Sequence, residues 1–272
     1  MPRAISYCMR LFAGWPGGLL VASLLFFGAS SSASSDARAS GSTQRSVSVT
    51  NLEPLPVGVT LPVRLGRTLR AGKTRVGSAV VAKTTQRVPV TEGTYLDRGA
   101  VLEGKVVASV AGDGTTASPS VLSIEFTSLR YHKQTVAVMT RAIAMANFVQ
   151  VGDTFLPVQG GSDRGNSSEA SWTTAQVGGD QVVRSGWVGP VVGSGLRTVG
   201  RADYYGVYSL PAGPSAPRAM GVFSTTASGL YGFESGASLS SSGGTITLSR
   251  VGKRLGMRDG DNLLLEVVAS SR

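Results

Sequence analysis

Side chains able to do chemistry are scarce in this 272-residue chain, and their scarcity decides most of what it can be. His132 is the only histidine and Cys8 the only cysteine, so the clustered His, Cys, Asp or Glu that zinc and most transition metals require are missing. Asp259 and Asp261 have the first spacing of a calcium loop, but neither the later ligands nor the bidentate glutamate follows. They predict a hairpin turn, as does Asp113 between Gly112 and Gly114. No G-x-S-x-G elbow and no S-x-x-K pair occurs. A serine triad would have to use His132, which is expected in an exposed Tyr-His-Lys turn between two strands. Hydrolysis by paired carboxylates has only Glu92, Asp97, Glu103 and Glu125 to draw on, and these are scattered without a local signature. The stretch GRTLRAGKT at 66–74 resembles a phosphate-binding P-loop, yet five residues rather than four separate Gly66 from Gly72-Lys73. The extra residue and the strand-to-strand setting exclude it. No catalytic residue, metal or cofactor is expected.

Two sets of side chains are suited to binding instead. Arg64, Arg67, Arg70, Lys73 and Arg75 would gather along one rim of a sheet and could hold phosphate or carboxylate groups; a solvated rim is the plain alternative. Aromatic residues do not interleave with them, so a stacking platform for single-stranded nucleic acid is not expected. Trp187, Tyr204, Tyr205 and Tyr208 could form a carbohydrate-stacking surface, or could pack the core and rim of a β domain. A formal net charge of +10 draws a protein toward acidic partners such as lipid headgroups, anionic glycans or nucleic acid, or simply keeps it soluble. Acidic envelope components or an envelope protein complex are the expected partners, with a homo-oligomer open and no specific nucleic-acid binding expected.

The elements that must position these residues read as strands. With 36 glycines and many serines, and no long 3.6-periodic stretch after residue 40, the fold class is all-β. Leu61, Val63 and Leu65 alternate with Pro62 and Arg64, and Leu122, Ile124 and Phe126 alternate with Ser123, Glu125 and Thr127. Each pattern predicts a strand with one apolar face. Residues 135–144 predict the hairpin partner of 120–130, although 141–147 could wind into a short helix. Further strands are expected at 219–224, 230–233, 245–251 and 262–268. The polar run GGSDRGNSSEAS at 160–171 predicts a linker. The expected organisation is a small β-barrel or sandwich domain at 52–158, a linker at 159–171 and a β-rich domain at 172–272.

Residues 1–40 read as a secretory signal and lead-in: Arg3 and Arg10 precede an apolar core at 19–29, and small residues follow. An uncleaved inner-membrane anchor at 11–29 is the competing reading, interrupted by Gly14, Pro16, Gly17 and Gly18. Cys8 falls in this segment, so the exported chain would hold together without disulfides. A periplasmic or secreted location follows.

The segment GTYLDRGAVLEGKV at 93–106, with the strand at 122–129 and its partner at 135–142, resembles the β-barrel domain of TrbI-type channel proteins of conjugation and type IV secretion. The likeness covers 61–144 and is carried by glycine and apolar patterns. It implies a periplasmic barrel used as a scaffold or assembly module. The long proline-rich segment and the amphipathic helical insertion of those channels have no counterpart here, which puts a conjugation role in doubt. The overall layout is also similar to that of uncharacterised secreted bacterial proteins. The expected function is a non-enzymatic structural, scaffold or binding role in the cell envelope; the alternative is a secreted carbohydrate-binding module or hydrolase acting on extracellular polymers. N-terminal sequencing of the exported protein should start after Ala33 or Ala39, and a chain starting at Met1 or Pro2 would exclude cleavage.

Overall fold

Alternating side chains fold Thr60–Leu65 into a strand whose Leu61, Val63 and Leu65 are fully buried while Arg64 faces solvent. This and the rest of a computed structural model cover residues 47–48, 53–160, 171–213, 215–252 and 254–270. The expected signal, lead-in and anchor segments at 1–40 lie outside the described residues.

The fold is all-β. Its main sheet has the strand order Gly229–Tyr231, Thr140–Ala146, Asn262–Val267, Thr60–Leu65, Ala79–Thr84, Val101–Val110, Ser120–Tyr131, Thr245–Arg250, Ala237–Ser242, with Gln134–Ala137 added beside Ser120–Tyr131. Apart from the parallel Gly229–Tyr231 edge, these pairings are antiparallel. The sheet curls until its ends meet, and across the gap the Ala142 amide donates to Ser241 Oγ at 3.0 Å. Leu61, Leu65, Leu102, Leu122, Ile124, Phe126, Ile246, Leu248 and Leu263 fill the interior of this nearly closed barrel. The expected 120–130 strand is present, but of its expected partner at 135–144 only Gln134–Ala137 pairs with it; Thr140–Ala146 is a separate strand that pairs with Asn262–Val267, and the six-residue helix Phe148–Asp153 follows.

A second sheet runs in simple sequence order, Pro157–Gly160, Ser171–Ala175, Gln181–Ser185, Gly189–Val192, Thr198–Asp203, Gly206–Ser209. Its Val182, Val191, Ala202 and Val207 form a separate core with Ala144, Ala146 and Leu264 of the barrel wall and with Met220 and Phe223. Strand Asn262–Val267 is therefore covered on both faces: Leu263 and Leu265 point into the barrel and Leu264 points out beneath the second sheet. Continuous apolar runs are what two-sided burial demands, and each fully buried leucine contributes about 1.5–3 kcal/mol relative to exposure.

The two-domain expectation is corrected here. Leu61 sits opposite Leu265, and Ile124 opposite Ile246, so strands from either side of the 159–171 linker share one sheet. Residues 45–272 form one compact unit. A barrel at 52–158 alone would lack four of its strands.

The joint between barrel and second sheet is held by Gln86, which is buried. Its Nε2 donates to the Val207 carbonyl at 3.0 Å, and its Oε1 accepts from the Val207 and Gly221 amides at 3.0 and 2.9 Å. The carboxamide thus satisfies both backbone groups of Val207 as a neighbouring strand would. Gly206 makes room for it: its φ is +152°, and a Cβ there would lie 2.5 Å from the carboxamide. Gln86→Ala leaves the Val207 and Gly221 amides without this partner, while the Val207 carbonyl keeps the Met220 amide at 2.9 Å; each amide that stays buried and unsatisfied costs about 1–3 kcal/mol. Urea unfolding should show a lower midpoint with an unchanged slope and a loss of about 3 kcal/mol; a loss below about 0.5 kcal/mol would remove Gln86 from this role.

Candidate anion-binding cleft

Two short segments far apart in sequence build the floor of a cleft. Leu69–Arg70 pairs antiparallel with Gly256–Met257, and the Ala71 amide donates to the Leu255 carbonyl at 3.0 Å. Leu69, Leu255 and Met257 are buried in the barrel core. Strand alternation then leaves Arg70, Arg254 and Arg258 exposed on the other side. Lys73, in the turn after Arg70, and Arg250, at the end of strand Thr245–Arg250, complete a ring of five cations around a cleft of about 820 Å³. That volume suits a small ligand or headgroup, since ligand sites span roughly 300–1,000 Å³. Phe148, Val149 and Phe233 add apolar surface to the lining.

Among the described residues only Glu234 and Asp261 bring negative charge to the lining. Glu234 is ion-paired with Arg250. Arg250 also donates through Nη1 to the Arg254 carbonyl at 2.9 Å, while its buried Nε has no hydrogen-bond partner. Asp261 is turned inward and accepts from the Phe148 amide at 2.9 Å and the Arg258 amide at 2.6 Å. It therefore ties the start of helix Phe148–Asp153 to the turn that carries Arg258, whose guanidinium lies over the Phe148 ring, 5.5 Å from its centroid. Asn147 caps the helix by accepting from the Val149 and Gln150 amides at 3.1 and 2.9 Å. Burial raises the Asp261 pKa above the ordinary 3.8, against the lowering effect of the two amides.

The five cations expected from sequence separate. Arg70 and Lys73 line the cleft. Arg64 is exposed on its barrel strand, Arg67 donates to the Ala79 carbonyl at 2.9 Å, and Arg75 lies exposed in the following loop. Arg250, Arg254 and Arg258 escaped that reading, although three arginines within nine residues were a visible signal.

The aromatic quartet also divides. Trp187 and Tyr204 are exposed, with centroids 6.2 Å apart, and Trp187 meets the buried Trp172 edge-on at 6.2 Å. Tyr205 instead covers the Arg87 guanidinium at 3.7 Å. Tyr208 is buried and donates to the Arg87 carbonyl at 3.0 Å, so it has no face to offer a sugar. Arg87 is further held by Asp97 at 2.9 Å. Its surroundings make it a structural clasp.

Glu103 pairs with Arg130 at 2.9 Å and Glu125 with Lys105 at 3.1 Å, both across neighbouring strands. His132 occupies an exposed turn at φ +53°, its ring 4.1 Å from that of Tyr131. Among the described residues no group of three or more His, Cys, Asp or Glu could hold a metal ion, and no helix is long and apolar enough to cross a membrane. Comparison with family models, curated proteins and solved structures found no match.

The raised pKa of Asp261 has a sign that can be checked. Folding holds its proton more tightly than the unfolded chain does, so its stabilising effect is complete below about 3.8 and is lost as pH rises through the folded-state value. Wild type should lose stability relative to Asp261→Asn as pH rises across that window. Thermal unfolding of both proteins from pH 3 to 7 tests this, and a difference that is constant with pH would contradict it.

Proposed function

We propose that this chain is a non-enzymatic binding protein of the cell envelope, and that its cleft holds a phosphate- or carboxylate-bearing group of its partner. The observation that carries the reading is the imbalance of the lining. Arg70, Lys73, Arg250, Arg254 and Arg258 face two acids, of which Glu234 is taken by Arg250 and Asp261 by backbone amides. Guanidinium groups suit such ligands because their planar fork matches two oxygens at once. Location in the periplasm or outside the cell rests on the secretory pattern of residues 1–40. The likeness of 61–144 to TrbI-type barrels favours an assembly role over a transport or catalytic one.

A second reading, a carbohydrate-binding module, is favoured by the adjacent exposed rings of Trp187 and Tyr204. One set of titrations separates the two. Inositol hexakisphosphate, used as a polyanionic probe, should bind with an affinity that falls at least tenfold between 50 and 500 mM salt, and at least tenfold again in Arg254→Ala/Arg258→Ala, since each charge-assisted bond contributes about 1.5–3 kcal/mol. Trp187→Ala/Tyr204→Ala should leave that affinity unchanged. Absence of binding, or binding insensitive to both salt and the arginine pair, would overturn the anion reading. Loss of binding to a neutral glycan column on removing the two rings would favour the second.

A further inference from the structure

The wall of the cleft continues into a stretch whose amphipathicity is inverted. Beyond helix Phe148–Asp153 the winding persists: the Thr154, Phe155 and Leu156 amides donate to the Val151, Gly152 and Asp153 carbonyls at 3.2, 3.1 and 3.1 Å. A surface helix normally turns apolar residues inward. Here Val151 and Thr154 face inward, while Phe148, Val149, Phe155 and Leu156 are 44, 50, 71 and 53% exposed. Phe148 and Val149 open the helix and Phe155 and Leu156 lie in the i→i−3 turns that follow it, so four exposed apolar side chains fall within one nine-residue stretch. Val158 prolongs the apolar surface, being exposed as well. Asp153 is the one acid on the stretch, and Gln150 Nε2 approaches its Oδ2 at 3.4 Å.

We infer that this edge docks on a bilayer of anionic phospholipid, with the 148–156 stripe entering the headgroup–acyl boundary and headgroup phosphates meeting the ring of cations. The inference rests on the anion-binding reading and names the source of the anion. Phe148 and Val149 belong both to the stripe and to the cleft wall, so the apolar and cationic surfaces are continuous. Stable attachment to a membrane takes two signals, an apolar insertion and a basic patch, and both are present on this edge. The apolar side chains stand out from the surface instead of lining a groove. A lipid boundary accepts protruding rings without a complementary shape, whereas a folded partner must supply a matching hollow. The charge sign fits as well, because each cation near an anionic leaflet is attracted within a Debye length.

The test places a reporter on the stripe itself, so that residues 1–40 do not dominate the signal. In the full-length chain, Cys8→Ser removes the only cysteine and Phe155→Cys carries an environment-sensitive fluorophore. Vesicles of phosphatidylglycerol should raise its emission at least fivefold, and vesicles of phosphatidylcholine should not. The response should fall at least fivefold in Arg254→Glu/Arg258→Glu and in Leu156→Ser, while Leu156→Ser leaves binding of inositol hexakisphosphate unchanged. No response to anionic vesicles in a protein that still binds inositol hexakisphosphate would overturn the inference and leave the anion-binding reading intact. Failure of both would sink the reading beneath it. An equal response to neutral vesicles, or one that rises with protein concentration before any vesicle is added, would also overturn it, the latter marking the stripe as a contact between copies or with another protein.

Discussion

Much in this fold leans on the strand Asn262–Val267, which, like its neighbour Thr140–Ala146, gives side chains to two cores. It lies between Thr60–Leu65 and Thr140–Ala146, gives Leu263 and Leu265 to the barrel interior, and gives Leu264 to the layer beneath the second sheet. Leu263, Leu264 and Leu265 close both faces to water, so the backbone groups there must be satisfied by ladder bonds to both neighbours. The geometry of the cleft descends from the same strand. Asp261 immediately precedes it, and Asp261 holds both the Arg258 turn and the start of helix Phe148–Asp153.

What could be read from the residues alone was local. Alternation at 60–65 and 120–131 reports burial on one face, and those strands stand where the pattern put them. Beyond the hairpin of 120–131 with 134–137, pairing partners were not legible, because period-two alternation is the same whatever lies alongside. A polar stretch at 160–171 looks like a boundary, yet the chain beyond it returns to complete the sheet begun before it. The three consecutive leucines 263–265 did carry the clue: alternation is lost when both faces are buried, and only an element lying between two layers is buried on both.

The candidate site was half legible for a related reason. Arg70 and Lys73 stand out as charge within a strand-and-turn pattern, but the arginines at 250, 254 and 258 meet them only through the pairing of Leu69–Arg70 with Gly256–Met257. That pairing is long-range and leaves no local signature. Likewise Tyr208 looks like its neighbours Tyr204 and Tyr205, and only the approach of Arg87 from the barrel side decides that it is covered. Burial of an aromatic ring is settled by whatever comes across from elsewhere.

The barrel seam carries a mechanical consequence. Between Thr140–Ala146 and Ala237–Ser242 the strands pack without a ladder, and among the described residues the Ala142 amide donates to the Ser241 hydroxyl, where other neighbours in the sheet share ladders. Gly229–Tyr231 covers only Ala144, Met145 and Ala146 on that side. A cylinder closed along most of its circumference by ladders and at one line by a side chain is stiff everywhere except along that line. Strain imposed on the wall by a bound partner would concentrate there, limited by Leu239, which ties Ala237–Ser242 to the barrel core opposite Leu248. The strand paired with it ends in Arg250, which ties the compliance of the seam to the cationic side of the molecule.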